Sequence, residues 1–204
     1  MSTIAARAGH YTFDDFLLLV KEHEKADLLD GVIYIASPES TDDNELGGWL
    51  YVLMSQFAHE TKQGKCYYTR VAFRITQKRG PEPDVAFITK ERLHIVEPGF
   101  VDGAPDIAVE IVSPDSVDRD YNLKRNVYEA AGVKEYWIID PDEQKVTFLR
   151  RQGQQFVEVM PVNGRYESQV LLGFYFTTEW LWSKERPSIM AVLPEMLRRS
   201  SANN

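Results

Sequence analysis

The stretch Pro105-Asp106-Ile107-Ala108-Val109-Glu110-Ile111-Val112 constrains the fold more than any other part of the chain. Apart from its acids it is apolar on both faces, so a strand formed here must be covered on both sides and belongs in the interior of a sheet. Ser113-Pro114-Asp115 ends it, and the segment from Asp118 to Ala131 then reads as a helix closed by Gly132. Tyr136 to Ile139 is a further β-branched and aromatic strand, stopped by Asp140-Pro141-Asp142.

The flanking sequence supplies the rest of such a sheet. Residues 12 to 24 read as an opening helix, capped by Thr12 with Asp15 three positions on and with Tyr11 able to pack on Phe16. Ala26–Leu29 and Val32–Ile35 flank Asp30-Gly31, a pair that tolerates the positive φ of a tight hairpin turn. Asp42 and Glu45 have capping-box spacing ahead of Leu46, Leu50, Leu53 and Phe57, which repeat at helical intervals until Gly64 offers a stop. Tyr67–Ile75 and Asp84–Ile88 read as strands joined through the turn around Gly80, and Lys145–Leu149 and Phe156–Met160 continue as a meander. Val170–Trp182 is apolar and aromatic, Ser188–Arg198 has the pattern of an amphipathic helix, and Ser200–Asn204 is a polar end expected to be disordered. The order argues for a mixed α+β or α/β fold with one central sheet flanked by helices. The expected organisation is an N-terminal segment (1–11), one domain (12–185), and a C-terminal helix with a polar tail (186–204).

A length of 204 residues and 44% hydrophobic content suit one well-buried core. The net charge of −8 disfavours a protein that coats nucleic acid nonspecifically, because phosphate binding needs clustered Lys and Arg. The one cysteine, Cys66, excludes an internal disulfide and a multi-cysteine zinc cluster, and the longest apolar runs fall far short of a membrane span. Those features, with no export-signal pattern at the N-terminus, point to the cytoplasm. No Gly-x-Ser-x-Gly elbow supports Ser113 or Cys66 as a nucleophile, and no glycine-rich nucleotide motif is present. His10, His23, His59 and His94 lack zinc-like spacing.

Two acids and a lysine carry the candidate chemistry. Asp84 stands in Pro83-Asp84-Val85-Ala86-Phe87-Ile88, Glu110 in the interior strand, and Lys124 on the helix after it. Adjacent strands lie ~4.8 Å apart, whereas Asp106 and Glu110 on one straight strand are separated by roughly 13 Å. Asp84 with Glu110 is therefore the better pair, and Asp106 reads as an exposed acid at the strand start. Glu110 shares its face with Ala108 and Val112, so it must be paired, protonated or bound to a cation. Two like charges ~4 Å apart repel by about 4 kcal/mol at an effective dielectric of about 20, which a divalent ion with oxygen preference reverses. Read from spacing alone, a buried ion pair of Glu110 with Arg70 or Arg74 serves equally. Lys124 aligns with Val127, Tyr128 and Ala131 on an inward stripe, or it forms an ordinary helix-surface pair with Asp120.

The interior strand together with Tyr128-Glu129-Ala130-Ala131-Gly132-Val133-Lys134-Glu135-Tyr136-Trp137-Ile138-Ile139-Asp140-Pro141, Leu28-Leu29-Asp30-Gly31-Val32 and Pro83-Asp84-Val85 resembles the Uma2 (DUF820-like) family of restriction endonucleases. The likeness spans roughly residues 12 to 182. That family is placed in the PD-(D/E)XK nuclease superfamily, with a central mixed sheet flanked by helices. The resemblance implies a metal-dependent endonuclease acting on nucleic acid, DNA first, with Asp84 and Glu110 as ligands of Mg²⁺ (or Mn²⁺) and the Ile111 carbonyl as a further oxygen. The general pattern puts the lysine two residues after the glutamate, where this chain has Val112; the resemblance implies Lys124 in its place. The resemblance leads one to expect a histidine after the first hairpin in many relatives, where this chain has Asn44 beside Glu45, for which helix capping is a sufficient role. Homodimers are expected by analogy with nucleases that cut two strands. The rival reading is a catalytically silent member of the fold used for binding or assembly. Lys78 with Arg79, and Lys124 with Arg125, are candidate local phosphate contacts or plain solvated charges.

Overall fold

A computed structural model describes residues 5–7, 9–21 and 23–202. Along the chain, β1 (Ala5–Arg7) precedes α1 (Phe13–Leu19), the hairpin β2 (Ala26–Leu29) and β3 (Val32–Ile35), the long helix α2 (Thr41–Glu60), β4 (Gly64–Tyr68) and β5 (Val85–Thr89). A 3-10 turn, Lys90–Ile95, and the short pair β6 (Val96–Glu97) and β7 (Phe100–Val101) lead into β8 (Ile107–Ile111). A π-helical segment, Arg119–Lys124, then runs directly into α3 (Arg125–Ala131). The chain continues through β9 (Glu135–Asp140), β10 (Lys145–Gln152), β11 (Gln155–Glu158), β12 (Arg165–Glu167), β13 (Tyr175–Thr177), α4 (Glu179–Trp182) and α5 (Ile189–Ala202).

The central sheet has the order β11-β10-β9-β8-β5-β4. Only β8 and β9 run parallel, as the helical crossover between them requires. β8 is interior, as its two apolar faces demand. Val109 and Ile107 pack with Val85 and Phe87 against Leu50 and Phe57 of α2 and Met196 of α5, while Ala108 and Val112 meet Tyr128 and Tyr136 on the other face. The result is a mixed sheet flanked by helices. A second sheet, β1-β3-β2, joins this body through Leu28 and Gly80, which exchange backbone hydrogen bonds of 2.8 and 3.1 Å.

Local signals decided most elements. Thr12 and Asp15 form the capping box of α1, although the helix stops at Leu19 because Val20 is already extended, short of the expected residue 24. Asp30 and Gly31 take φ values of 50° and 81°, which turns the β2–β3 hairpin. The cap of α2 is Ser40, whose Oγ accepts the Asp43 N–H at 3.1 Å, two residues before the expected Asp42, and among the described residues Glu45 makes no capping bond. That helix ends at Glu60, with Thr61 as its C-cap, before Lys62 takes a φ of 57°, and Gly64 opens β4 instead of stopping α2. β4 ends at Tyr68, since Arg70 leaves extended backbone at φ 58°, and the strand expected over Tyr67–Ile75 is mostly loop. Ser200–Ala202 lie within α5, contrary to the expected disordered end, and residues 203 and 204 lie outside the described set.

Gly64 illustrates how tightly β4 and β5 are joined. A Cβ at this position would lie 2.1 Å from the Ile88 carbonyl oxygen and 2.8 Å from the Phe87 ring. Gly64→Ala is expected to cost about 1–3 kcal/mol through forced backbone displacement. Urea unfolding checks this, and an unchanged midpoint contradicts it.

Candidate active site

Extending the antiparallel Val85↔Val109 register by one step sets Asp84 opposite Glu110. Residues so placed share a face, with Cβ atoms about 4.5–5.5 Å apart. Asp84 Oδ2 accepts the Ile111 N–H at 2.7 Å, which fixes the start of β5 to the residue beside Glu110. Both carboxylates line one cavity of about 40 Å³. A water needs only roughly 10–15 Å³, so this space admits a small hydrated guest.

Lys124 enters from the covering helix. The π turn Arg119–Lys124 closes i→i+5 and widens the helix where such bulges often serve function. It turns both Asp120 and Lys124 inward, with side chains 2% and 3% exposed. Lys124 Nζ lies 2.8 Å from Glu110 Oε2, 3.0 Å from Asp27 Oδ2 and 3.1 Å from Asp120 Oδ1. Tyr128 donates its hydroxyl to the other Glu110 oxygen at 2.8 Å. The expected helix-surface pair of Lys124 with Asp120 thus forms, but it is buried. The alternative reading of Glu110, an ion pair with an arginine, is not met by Arg74, which is bound to Asp102 at 2.7 Å; Glu110 pairs with Lys124. A surface phosphate contact at Lys124 is excluded by its burial, and Arg79 is held by Asp30 at 2.6 Å.

The first hairpin contributes residues that the sequence reading had not singled out. Asp27 on β2 accepts the Glu82 N–H at 2.9 Å and pairs with Arg119 at 3.4 Å as well as Lys124. Glu82 returns the contact, accepting the Ala26 N–H at 3.1 Å. Lys25, just before β2, donates to Asp84 Oδ1. Asp27 sits in Ala26-Asp27-Leu28-Leu29, whose four residues are all buried. An acid inside an apolar run was the signal that singled out Glu110, and it marks Asp27 equally.

Asp106 lies elsewhere. It is fully buried rather than exposed, clamped by Lys134 at 2.9 Å, Arg92 at 3.0 Å and the Thr89 N–H at 2.9 Å. Burial works against its charge, but those three partners hold its carboxyl below the usual range. Asn44 and Glu45 line an open groove beside the cavity, and Asn44 donates to Glu39 at 3.1 Å.

Six carboxylates line the cavity, Asp27, Glu39, Asp43, Asp84, Glu110 and Asp120, with three cations, Lys25, Arg119 and Lys124. Three negative charges are left uncompensated when all are ionised. Burial therefore pushes Glu110 up to about 8 and Glu82 up to about 7. Burial disfavours both ammonium groups as well, yet Asp84 beside Lys25 and Asp120, Asp27 and Glu110 around Lys124 keep the two lysines above their ordinary values. Asp27 is desolvated too, but Lys124 and Arg119 hold it below the ordinary range.

These shifts have a sign. Glu82 and Glu110 bind protons more tightly in the folded chain than in the unfolded one, so their stabilisation is complete below the unfolded value of 4.5 and is lost as pH rises through about 7 and about 8. Asp27 acts in the opposite sense, but only as pH falls below its ordinary 3.8. The melting temperature of metal-free protein is expected to fall from about pH 5 to about pH 8, and Glu82→Gln to flatten the lower half of that slope. A melting temperature that rises across this window contradicts the assignment.

Among the described residues no three His, Cys, Asp or Glu side chains converge as a ready metal cage. Two carboxylates with room for water are nonetheless what Mg²⁺ uses, since it keeps several waters and binds through one or two carboxylates. The excess of carboxylates over cations in the lining also favours a cation there. The residues present fit such an ion.

A family model described as "Uma2: Putative restriction endonuclease" matches residues 13–179. A solved structure described as "a putative nuclease belonging to DUF820", from Anabaena variabilis, superposes with a TM-score of 0.70 at 19% sequence identity, covering 84% of this chain and 97% of its own. At that identity the likeness shows a shared fold. No curated protein matches the chain. Among the described residues no helix is long and apolar enough to cross a membrane.

Proposed function

Since this chain belongs to the Uma2 family, we propose that it is a divalent-metal-dependent endonuclease that hydrolyses phosphodiester bonds of nucleic acid, DNA in the first place. The observation that carries the proposal is the cross-strand meeting of Asp84 and Glu110 in a cavity lined by more carboxylates than cations. Asp84 and Glu110 would hold Mg²⁺, or Mn²⁺ in its place, with the Ile111 carbonyl as a third oxygen. Such an ion supplies a water acidified for attack and positive charge for the phosphorane-like transition state.

The chain's own residues do the rest. Tyr128 and Lys124 each hold one oxygen of Glu110, so the carboxylate cannot rotate away from the cavity. Lys124 also balances the charge that Asp27, Glu110 and Asp120 concentrate there. In-line attack by water on phosphorus would break the bond to the 3′ oxygen and leave a 5′-phosphate. The test is nicking of supercoiled plasmid, with parallel single-stranded DNA and RNA substrates, in Mg²⁺ or Mn²⁺ and in excess chelator. Metal-dependent cleavage of any of them is expected; none across all three opposes the proposal.

One observation favours a second reading. Both Glu110 oxygens already have partners, so the carboxylate is satisfied without an ion, as in a fold retained for binding or assembly. Calorimetric titration with Mn²⁺ separates the two, since the silent protein gives no saturable heat.

A further inference from the structure

We propose that Lys25, and not Lys124, is the cation that touches the scissile phosphate; this rests on the nuclease reading above. The two lysines differ in what their protons face. The three N–H donors of Lys124 face three carboxylates at 2.8 to 3.1 Å, and its side chain is 3% exposed. Any contact with substrate would have to break one of those ion pairs inside the protein. The Lys25 ammonium donates to Asp84, its one acceptor among the described residues, and its side chain is 17% exposed. An ammonium has three donors, so two remain for an incoming group.

Position agrees with donor supply. Lys25 lines both the small cavity that holds Asp84 and Glu110 and the open groove of about 900 Å³ beside it. It stands where a phosphate lying in the groove would present an oxygen to the two carboxylates. Its backbone is set by the hairpin, with the Ala36 N–H donating to the Lys25 carbonyl at 2.9 Å. Glu24, Glu39 and Glu45 line that groove and repel a phosphate; of its two basic side chains, Lys25 and Arg70, only Lys25 also lines the cavity, where it can draw a phosphate toward the two carboxylates. Lys124 is then a positioning residue, acting through Glu110, Asp27 and Asp120.

The experiment compares the parent with Lys25→Gln and Lys25→Arg in three measurements: binding of a short DNA duplex in chelator over a range of salt, single-turnover cleavage in Mg²⁺, and thermal unfolding. Each phosphate contact contributes close to one unit to the slope of log affinity against log salt. Lys25→Gln is expected to lower that slope by about one unit and cleavage by about 100-fold, with Lys25→Arg keeping the parental slope. A Lys25→Gln protein with the parental slope overturns the proposal, whatever its rate. Should that variant fold poorly, Lys25→Gln combined with Asp84→Asn leaves no orphaned carboxylate, and its slope is compared with that of Asp84→Asn alone. A parent that neither binds nor cuts any nucleic acid overturns the nuclease reading itself; a parent that cuts, with an unchanged slope in the variant, overturns only the role of Lys25.

Discussion

Replacing Lys124 with methionine is expected to destabilise the protein by about 3–5 kcal/mol, the largest loss for any side chain of the site. Methionine keeps much of the length and apolar volume of the lysine stem, so the change isolates the charge. It leaves Glu110, Asp27 and Asp120 converging on a vacated ammonium position, each no more than 4% exposed. Arg119 partly compensates Asp27 at 3.4 Å, but Glu110 retains only the Tyr128 hydroxyl. For a chain of this size each kcal/mol moves the melting temperature by about 2–4 °C, so a fall of roughly 6–20 °C should appear in calorimetry. The loss should shrink toward pH 5, where the stranded carboxyls take up protons. Adding Glu110→Gln should restore part of it by removing one of the three charges. A Lys124→Met protein within about 1 kcal/mol of the parent, the range of an exposed pair, would show that the lysine is not the keystone of this cluster.

The parts of this site that were legible in the sequence are those encoded by short-range pattern. A strand apolar on both faces had to be interior, and a carboxylate within it had to find a charge partner; Glu110 satisfies both. Asp84 was legible because its strand pairs next to that one, and Lys124 because helical spacing aligns it with the buried Val127 and Tyr128. The contributions of Lys25, Asp27 and Glu82 depend instead on where the first hairpin docks. That docking is carried by backbone hydrogen bonds between Leu28 and Gly80, 52 residues apart, which leave no periodic trace. The misplaced cap of α2 has another cause. Glu39-Ser40-Thr41-Asp42-Asp43-Asn44-Glu45 contains several pairs at capping-box spacing, and only the backbone geometry of the turn selects Ser40. Asp106 departs from the expected exposed acid because, although an acid after a proline at a strand start has a solvent-facing pattern, Arg92 from the 3-10 turn and Lys134 from the loop before β9 reach across to bury it.

Glu110→Gln should separate catalysis from folding. The substitution keeps the shape of the side chain, and Tyr128, whose hydroxyl can accept as well as donate, can pair with the new amide while Lys124 retains an oxygen. It also removes one of the cavity's surplus negative charges, so the metal-free protein should be at least as stable as the parent above about pH 7, where Glu110 would otherwise be forced toward ionisation. Cleavage, by contrast, should fall by at least 100- to 1,000-fold on the order found when one preorganised electrostatic group is lost, because an amide is a poor ligand for a hard divalent ion. Glu135→Gln is the matched control. Glu135 is another fully buried glutamate, on β9 opposite Ile107, held by Ser168, Gln169 and Trp137 and by Arg150 at 3.7 Å. It lies three residue steps along the sheet from the level of Glu110 and outside the cavity. That variant should lose stability and keep its cleavage rate. If Glu110→Gln cuts within a few-fold of the parent, the carboxylate is a structural counter-ion to Lys124 and the metal must be sought elsewhere. If both glutamine variants lose cleavage in proportion to their loss of folded protein, the effect is folding alone. Only stability retained with cleavage lost assigns the chemistry to Glu110.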